Sequence, residues 1–205
     1  MKNIQILTIL TVLSALSSQE LNQIHRGTDY FTVEPGKTWY IDTVNREGQL
    51  LSAYRRYTIE SHTPKGSVQI PVKVESFFLG TILFQWTEIY RVNPDGGIDH
   101  EKTVRNGRLE NYDPPRIYLP AELKLGSRWS YSEPTGDVYI SQVMAFIDTL
   151  SLPNGLIVND VVKIKKDWTS ENGELRTSLF QYFADGMGYV GMHFSGEGWV
   201  EVRRP

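Results

Sequence analysis

The sequence predicts an all-β protein: a strongly curved antiparallel sheet, or an open half β-barrel, built from two related halves. Three observations lead there. Apolar and polar residues alternate with a period of two in segment after segment, which gives each segment one buried face. The composition is rich in turn formers and rings, with 17 Gly, 10 Pro and 12% aromatics, a mixture that favours strands and tight turns over helices. A short pattern also occurs twice. Gly36-Lys37-Thr38-Trp39-Tyr40 returns as Gly126-Ser127-Arg128-Trp129-Ser130-Tyr131, with the same Gly-to-Trp spacing. Each copy follows a Tyr-led segment containing a proline, beginning at Tyr30 and at Tyr118.

Residues 1–18 read as a cleavable secretory signal. Lys2 gives a basic end, residues 4–16 form an apolar core, and Ala15 and Ser17 place small residues at the −3 and −1 positions of a cleavage site. The apolar run is shorter than the ~20 residues that span a bilayer, and no later segment is long and apolar enough. Residues 19–27 form a lead-in, and 28–205 a single β domain with halves of about 28–113 and 114–205.

Taken in order, the strands announce themselves by their alternation. Trp39, Ile41 and Thr43 oppose Tyr40, Asp42 and Val44. After Gly48, Ala53, Arg55, Tyr57 and Ile59 oppose Tyr54, Arg56, Thr58 and Glu60. His62-Thr63-Pro64-Lys65-Gly66 is a turn. Val68, Ile70, Val72 and Val74 then oppose Gln69, Pro71, Lys73 and Glu75; because Pro71 lacks a ladder donor, this strand is expected at an edge or at a bulge. Beyond Gly80, Ile82, Phe84, Trp86, Glu88 and Tyr90 share a face. Asn93-Pro94-Asp95-Gly96-Gly97 and Asn106-Gly107 are hairpin turns, and Asp113-Pro114-Pro115 is expected to separate the halves. The second half repeats the plan, with turns at 133–136, 153–155 and 171–173. Residues 138–150 hold a partial helical spacing, but their β-branched and aromatic content reads as strand. The total is ten to twelve strands in a meander, enough for a sheet to curl or close.

Several chemistries find no support. The net charge of −3 provides no pull toward phosphate backbones. With no cysteine there is no lipobox anchor, disulfide, zinc thiolate or iron–sulfur site. His25, His62, His100 and His193 fall in no metal-binding spacing. His193 and Glu197 read as a strand-end histidine near a surface acid, and Asp95, Asp99 and Glu101 as an ordinary hairpin rather than a calcium loop. No Gly-x-Ser-x-Gly or phosphate-binding loop is present. No cofactor is implied, and no nucleic-acid partner.

The aromatic residues carry the functional expectation. Trp39, Trp86, Trp129, Tyr131 and Trp168 sit on or beside inward-facing alternations, so they either fill a core or line a concave apolar pocket. The residues from Tyr30 to Trp39, the run Leu119-Pro120-Ala121-Glu122-Leu123-Lys124-Leu125-Gly126-Ser127-Arg128-Trp129-Ser130-Tyr131 and the late Tyr182-Phe183-Ala184-Asp185-Gly186-Met187-Gly188-Tyr189-Val190 together resemble uncharacterised exported bacterial β-domains with Tyr-Phe-Pro-Leu…Gly-x-x-Trp-x-Tyr repeats. That resemblance implies an open or half-closed β-barrel in the cell envelope and brings no catalytic residues with it. The expected function is therefore a non-catalytic, periplasmic or secreted envelope protein, not a lipoprotein, that binds a lipid or other apolar or amphiphilic small molecule through those five residues. Two alternatives are a structural module docking an envelope protein and an Asp/Glu-dependent hydrolase.

Overall fold

The computed structural model describes residues 25–61, 68–133 and 136–205. The expected leader, the turn around His62 and the pair Pro134-Thr135 lie outside the described residues. The strands are β1 (Thr38–Val44), β2 (Leu50–Ile59), β3 (Val68–Phe78), β4 (Thr81–Val92), β5 (Ile98–Arg105), β6 (Arg108–Leu119), β7 (Arg128–Ser132), β8 (Val138–Ser151), β9 (Ile157–Thr169), β10 (Leu175–Ala184), β11 (Gly188–Phe194) and β12 (Gly198–Arg203). They form one antiparallel sheet in the order β6-β5-β4-β3-β2-β1-β12-β11-β10-β9-β8-β7. Two six-strand meanders thus join where β1 pairs with β12, Ile41 opposite Arg203. The sheet curls into a nearly closed barrel whose two edges, β6 and β7, face each other across a seam.

The seam is bridged by side chains rather than by a ladder. Trp129 Nε1 donates to the Ile117 carbonyl at 3.2 Å, and Arg116 pairs with Glu133. The Arg116 guanidinium also lies over the rings of Tyr112, at 3.4 Å, and Tyr131, at 5.1 Å. Cation–π contacts of this kind tie edges that lack backbone bonds.

Both Gly-x-x-Trp turns are built alike. Gly36 and Gly126 take positive φ of 83° and 84°, where glycine alone is unstrained. The Gly36 N–H donates to Ile59 O and the Ile59 N–H to Lys37 O; equally, the Gly126 N–H donates to Val143 O and the Val143 N–H to Ser127 O. Each turn launches the first strand of its meander.

Alternation places one set of side chains inside the barrel. Ile41, Ile59, Ile70, Val72, Val74, Val162, Ile164 and Phe183 form the inner core. A second cluster lies outside it, where Leu152 and Val158 of the β8–β9 hairpin pack on Tyr182, Ala184 and Val190. One end of the barrel is stoppered by a 3-10 turn, Gly27–Tyr30. The Thr28 N–H donates to Gly96 O, the Gly186 N–H to Asp29 O, and His25 bridges to Leu123. A Cβ on Gly27 would come within 2.8 Å of Pro120 O, so only glycine fits that close approach.

Two proline expectations are corrected. Pro71 lies in an internal strand rather than at an edge; β3 does carry a register shift, but at Ser76/Phe77, away from Pro71, which pairs with Ile89 while the Glu60 N–H donates to Pro71 O just beyond the end of β2. A residue's N–H and C=O point to the same neighbour, so the missing donor falls at the frayed end of β2 and leaves no interior acceptor stranded. Asp113-Pro114-Pro115 does not break the chain either. It lies within β6, an edge strand, where a proline forfeits little.

Candidate functional site

Inside the barrel, beneath the stopper, lies a cavity of about 270 Å³. β1 to β4 supply Trp39, Arg55, Tyr57, Val72, Glu88 and Tyr90; Tyr118 enters from β6; β10 to β12 supply Gln181, Tyr189, Met192 and Glu201; Phe31 and Thr32 close the top. The pleat explains the selection, since these residues alternate with outward neighbours. The Trp39 and Tyr57 rings stack at 5.3 Å, and Tyr90 touches both Phe31 and Tyr118.

The walls are aromatic, yet a charged layer crosses them. Arg55 pairs with Glu201 at 2.9 Å, and the Tyr189 hydroxyl donates to Glu201 at 2.8 Å. Glu88 accepts from Trp86 Nε1 at 2.9 Å and from the Tyr90 hydroxyl at 2.6 Å. Burial would lower the Arg55 guanidinium, but Tyr57 and Glu201 outweigh it and hold Arg55 above its usual range. Burial, with the nearby carboxylates adding to it, raises Tyr90 and Tyr189 well above the ordinary phenol, so both remain neutral donors. Each carboxylate is thus already engaged by donors of the protein itself.

The charge balance differs toward the seam. Lys166 lies on the inner face of β9, opposite Ser141 of β8 and Leu179 of β10. Burial, with Arg116 adding to it, pushes its ammonium down to about 8. His100 stacks on Tyr90 at 4.8 Å and shares a hydrogen bond with Thr103; burial lowers it too.

The five residues singled out from the sequence are not gathered into one pocket. Trp39 lines the central cavity, and its Nε1 is buried without a hydrogen-bond partner among the described residues. Trp86 lines an adjoining opening of about 300 Å³ with Phe84, Arg105 and Arg55. Trp129 sits at the seam. Tyr131 and Trp168 flank Tyr139 in a stacked ladder, with ring centroids 4.8 and 5.9 Å apart, and line neither opening. Sequence reasoning overlooked Arg55, Glu88, Tyr189 and Glu201. Two of these carried a signal, because Arg55 and Glu88 each interrupt an otherwise apolar face.

Other candidates resolve into ordinary contacts. His193 bonds Tyr182 at 3.1 Å, whereas Glu197 pairs with Arg46. Arg91 engages both Asp99 and Glu101. Among the described residues no group of three metal-ligating side chains occurs, and no helix is long and apolar enough to cross a membrane.

The chain matches no protein-family model and no curated protein. Among solved structures it is similar to a candidate exported protein with a YmcC-like fold from Bacteroides fragilis. The identity is 10% over 86% of this chain and 96% of that one, with a TM-score of 0.50. A candidate lipoprotein from Parabacteroides distasonis gives 13% identity over the same shares, with a TM-score of 0.47. The first likeness shows that the curled sheet is a fold other proteins adopt.

Proposed function

We propose that this is a non-catalytic, exported envelope protein that holds an apolar or amphiphilic molecule inside its nearly closed barrel. The observation that carries the reading is the cavity beneath the stopper, where aromatic walls are crossed by the Arg55–Glu201–Tyr189 layer. Ligand sites are mostly apolar with a few convergent polar groups, and this interior has that make-up. Its volume of about 270 Å³ suits a polar head with the first part of a chain, since drug-sized pockets run from about 300 Å³ upward. Export is supported by the pattern of residues 1–18.

Native mass spectrometry of the protein purified from its own envelope tests the reading. A co-purifying amphiphile mass is expected, together with saturable one-to-one binding of dansyl-undecanoic acid. Met192→Trp, which fills the cavity, should lower that binding at least tenfold in a protein that still unfolds cooperatively. No bound mass and no probe binding, or full probe binding by the filled variant, would defeat the proposal. The alternative reading, a docking module, draws its support from an exposed apolar hairpin at the open end.

A further inference from the structure

The β3–β4 hairpin ends in a stretch that the core does not use. Between Glu75 and Glu88 the sequence carries no charged residue. Residues 78–85 are all exposed, one after another. Consecutive strand residues point to opposite faces, so exposure on both faces means that the tip stands clear of the body. Phe78, Leu79, Ile82, Leu83 and Phe84 are between 45% and 72% exposed. Leu50 and Leu51 of β2, beside the tip, are exposed as well.

The apex is the clearest sign. The two-residue turn is Leu79-Gly80, with φ of 51° and 80°. Such turns favour Asn-Gly, because a side chain at positive φ is strained. Leu79 is disfavoured there by its backbone, and again by water as the most exposed large apolar residue among those described. Neither folding nor solubility calls for a leucine at that position, and strain held in the open points to a use.

We infer that this hairpin is a membrane-surface anchor whose partner is a lipid bilayer with anionic headgroups. The shape favours a bilayer over a flat protein face, because a two-sided wedge has apolar atoms on both sides to bury. On β3 only Phe78 projects, since Phe77 is buried, whereas on β4 Thr81 to Gln85 are all exposed; the turn with the first three residues of β4, roughly 10 Å at the strand rise, reaches the ~5–10 Å depth of interfacial insertion. The charges are arranged to suit. Arg105 and Arg108 are exposed at the neighbouring β5–β6 turn, and Arg105 lies over the Trp86 ring at 5.4 Å. That is the aromatic and cationic belt expected at headgroup level. Glu110 is exposed nearby, so the arginines assist and the apolar wedge carries the binding. The docking is independent of whether the cavity is filled, although it would set the opening lined by Phe84, Trp86 and Arg105 against lipid.

The test is vesicle flotation of the protein from residue 19 onward, which keeps every described element. The vesicles contain phosphatidylglycerol and phosphatidylethanolamine. The wild type should float with them. Leu79→Asn with Leu83→Thr should cut the bound fraction about tenfold or more while leaving thermal stability unchanged or raised, because asparagine relieves the turn. Arg105→Gln with Arg108→Gln should weaken binding by roughly fivefold per arginine at low salt and remove the salt dependence. Dansyl-undecanoic acid binding without vesicles should be unaffected in the Leu79/Leu83 variant, whose residues line neither opening, which separates this inference from the cavity reading. A wild type that stays at the bottom of the gradient overturns the inference, as does a hairpin variant that floats like the wild type. So does a wild-type dimer that the hairpin variant turns into a monomer with no flotation, since the tip would then bind a second copy.

Discussion

Trp39 and Trp129 stand at the same place in two turns with the same hydrogen bonds, yet they do different work. Trp39 belongs to β1, which has a partner on both sides, and only 9% of it is exposed. Its ring stacks on Tyr57 and faces the cavity. Trp129 belongs to β7, which pairs only with β8, and its indole N–H reaches across the seam to a carbonyl of β6. The local sequence builds the turn and sets the ring's face. Where the strand falls in the sheet then decides whether the ring is core or clasp.

Removing the rings should separate the two tryptophans most. Trp39→Ala should cost about 3–5 kcal/mol, as expected for a large buried aromatic, and abolish dansyl-undecanoic acid binding. Trp129→Ala should cost roughly half as much, because its ring is partly solvated already and the seam can relax. Urea unfolding of both variants, read as midpoint and slope, gives the ratio. Equal losses would mean that the seam is as tightly packed as the centre.

A second difference between the same two regions is electrical. The β2/β12 side sets Arg55 against Glu201, whereas the seam side sets Lys166 beside another cation, Arg116. Lys166 is held at about 8 in the fold, against about 10.5 when free. Between those values the unfolded chain keeps a proton that the folded protein has released. Stability should therefore rise with pH across the window from about 8 upward, and below it the penalty is constant. Lys166→Met should remove the rise. Thermal midpoints from pH 7.5 to 9.5 for both proteins check this, a range that stays below the ordinary titration of tyrosine. A wild type with a flat profile would place the ammonium in water.

Much of the fold was legible because an antiparallel sheet with one buried face writes its pleat directly into the sequence. The strands and the Gly and Asn-Gly turns follow the alternation, and so do inward positions such as Val72 and Ile164. Legibility ended where one strand has two buried faces. Val202 is buried beside Glu201, at the place where Asn154 of the β8–β9 turn reaches β12 and donates to the Arg203 carbonyl. Alternation alone would put one of the two in water. The site was legible only in part. Trp39 was visible as an inward ring, but its carboxylate and arginine neighbours come from β2, β4 and β12, brought together by closure of the sheet. Beyond the break at Gly80, residues 82–85 read from the sequence as ordinary strand, since period two cannot tell a hairpin tip in solvent from one in a core.

Trp129→Phe keeps a ring at the seam and removes only the N–H that bonds Ile117 O. A single hydrogen bond of this kind contributes about 1 kcal/mol net, so the unfolding midpoint should move little. Its consequence should instead be local, because β6 and β7 share no ladder and the clasp is one of few links between them. Hydrogen exchange should quicken at amides of β6 and β7 and remain unchanged in β1 and β12, where backbone pairing does the holding. The matching Trp39→Phe loses no hydrogen bond among the described residues, so it should leave exchange at the seam untouched and act on the cavity alone. Were both variants to loosen the seam equally, the barrel would open as one unit, and the division between core ring and clasp would not hold.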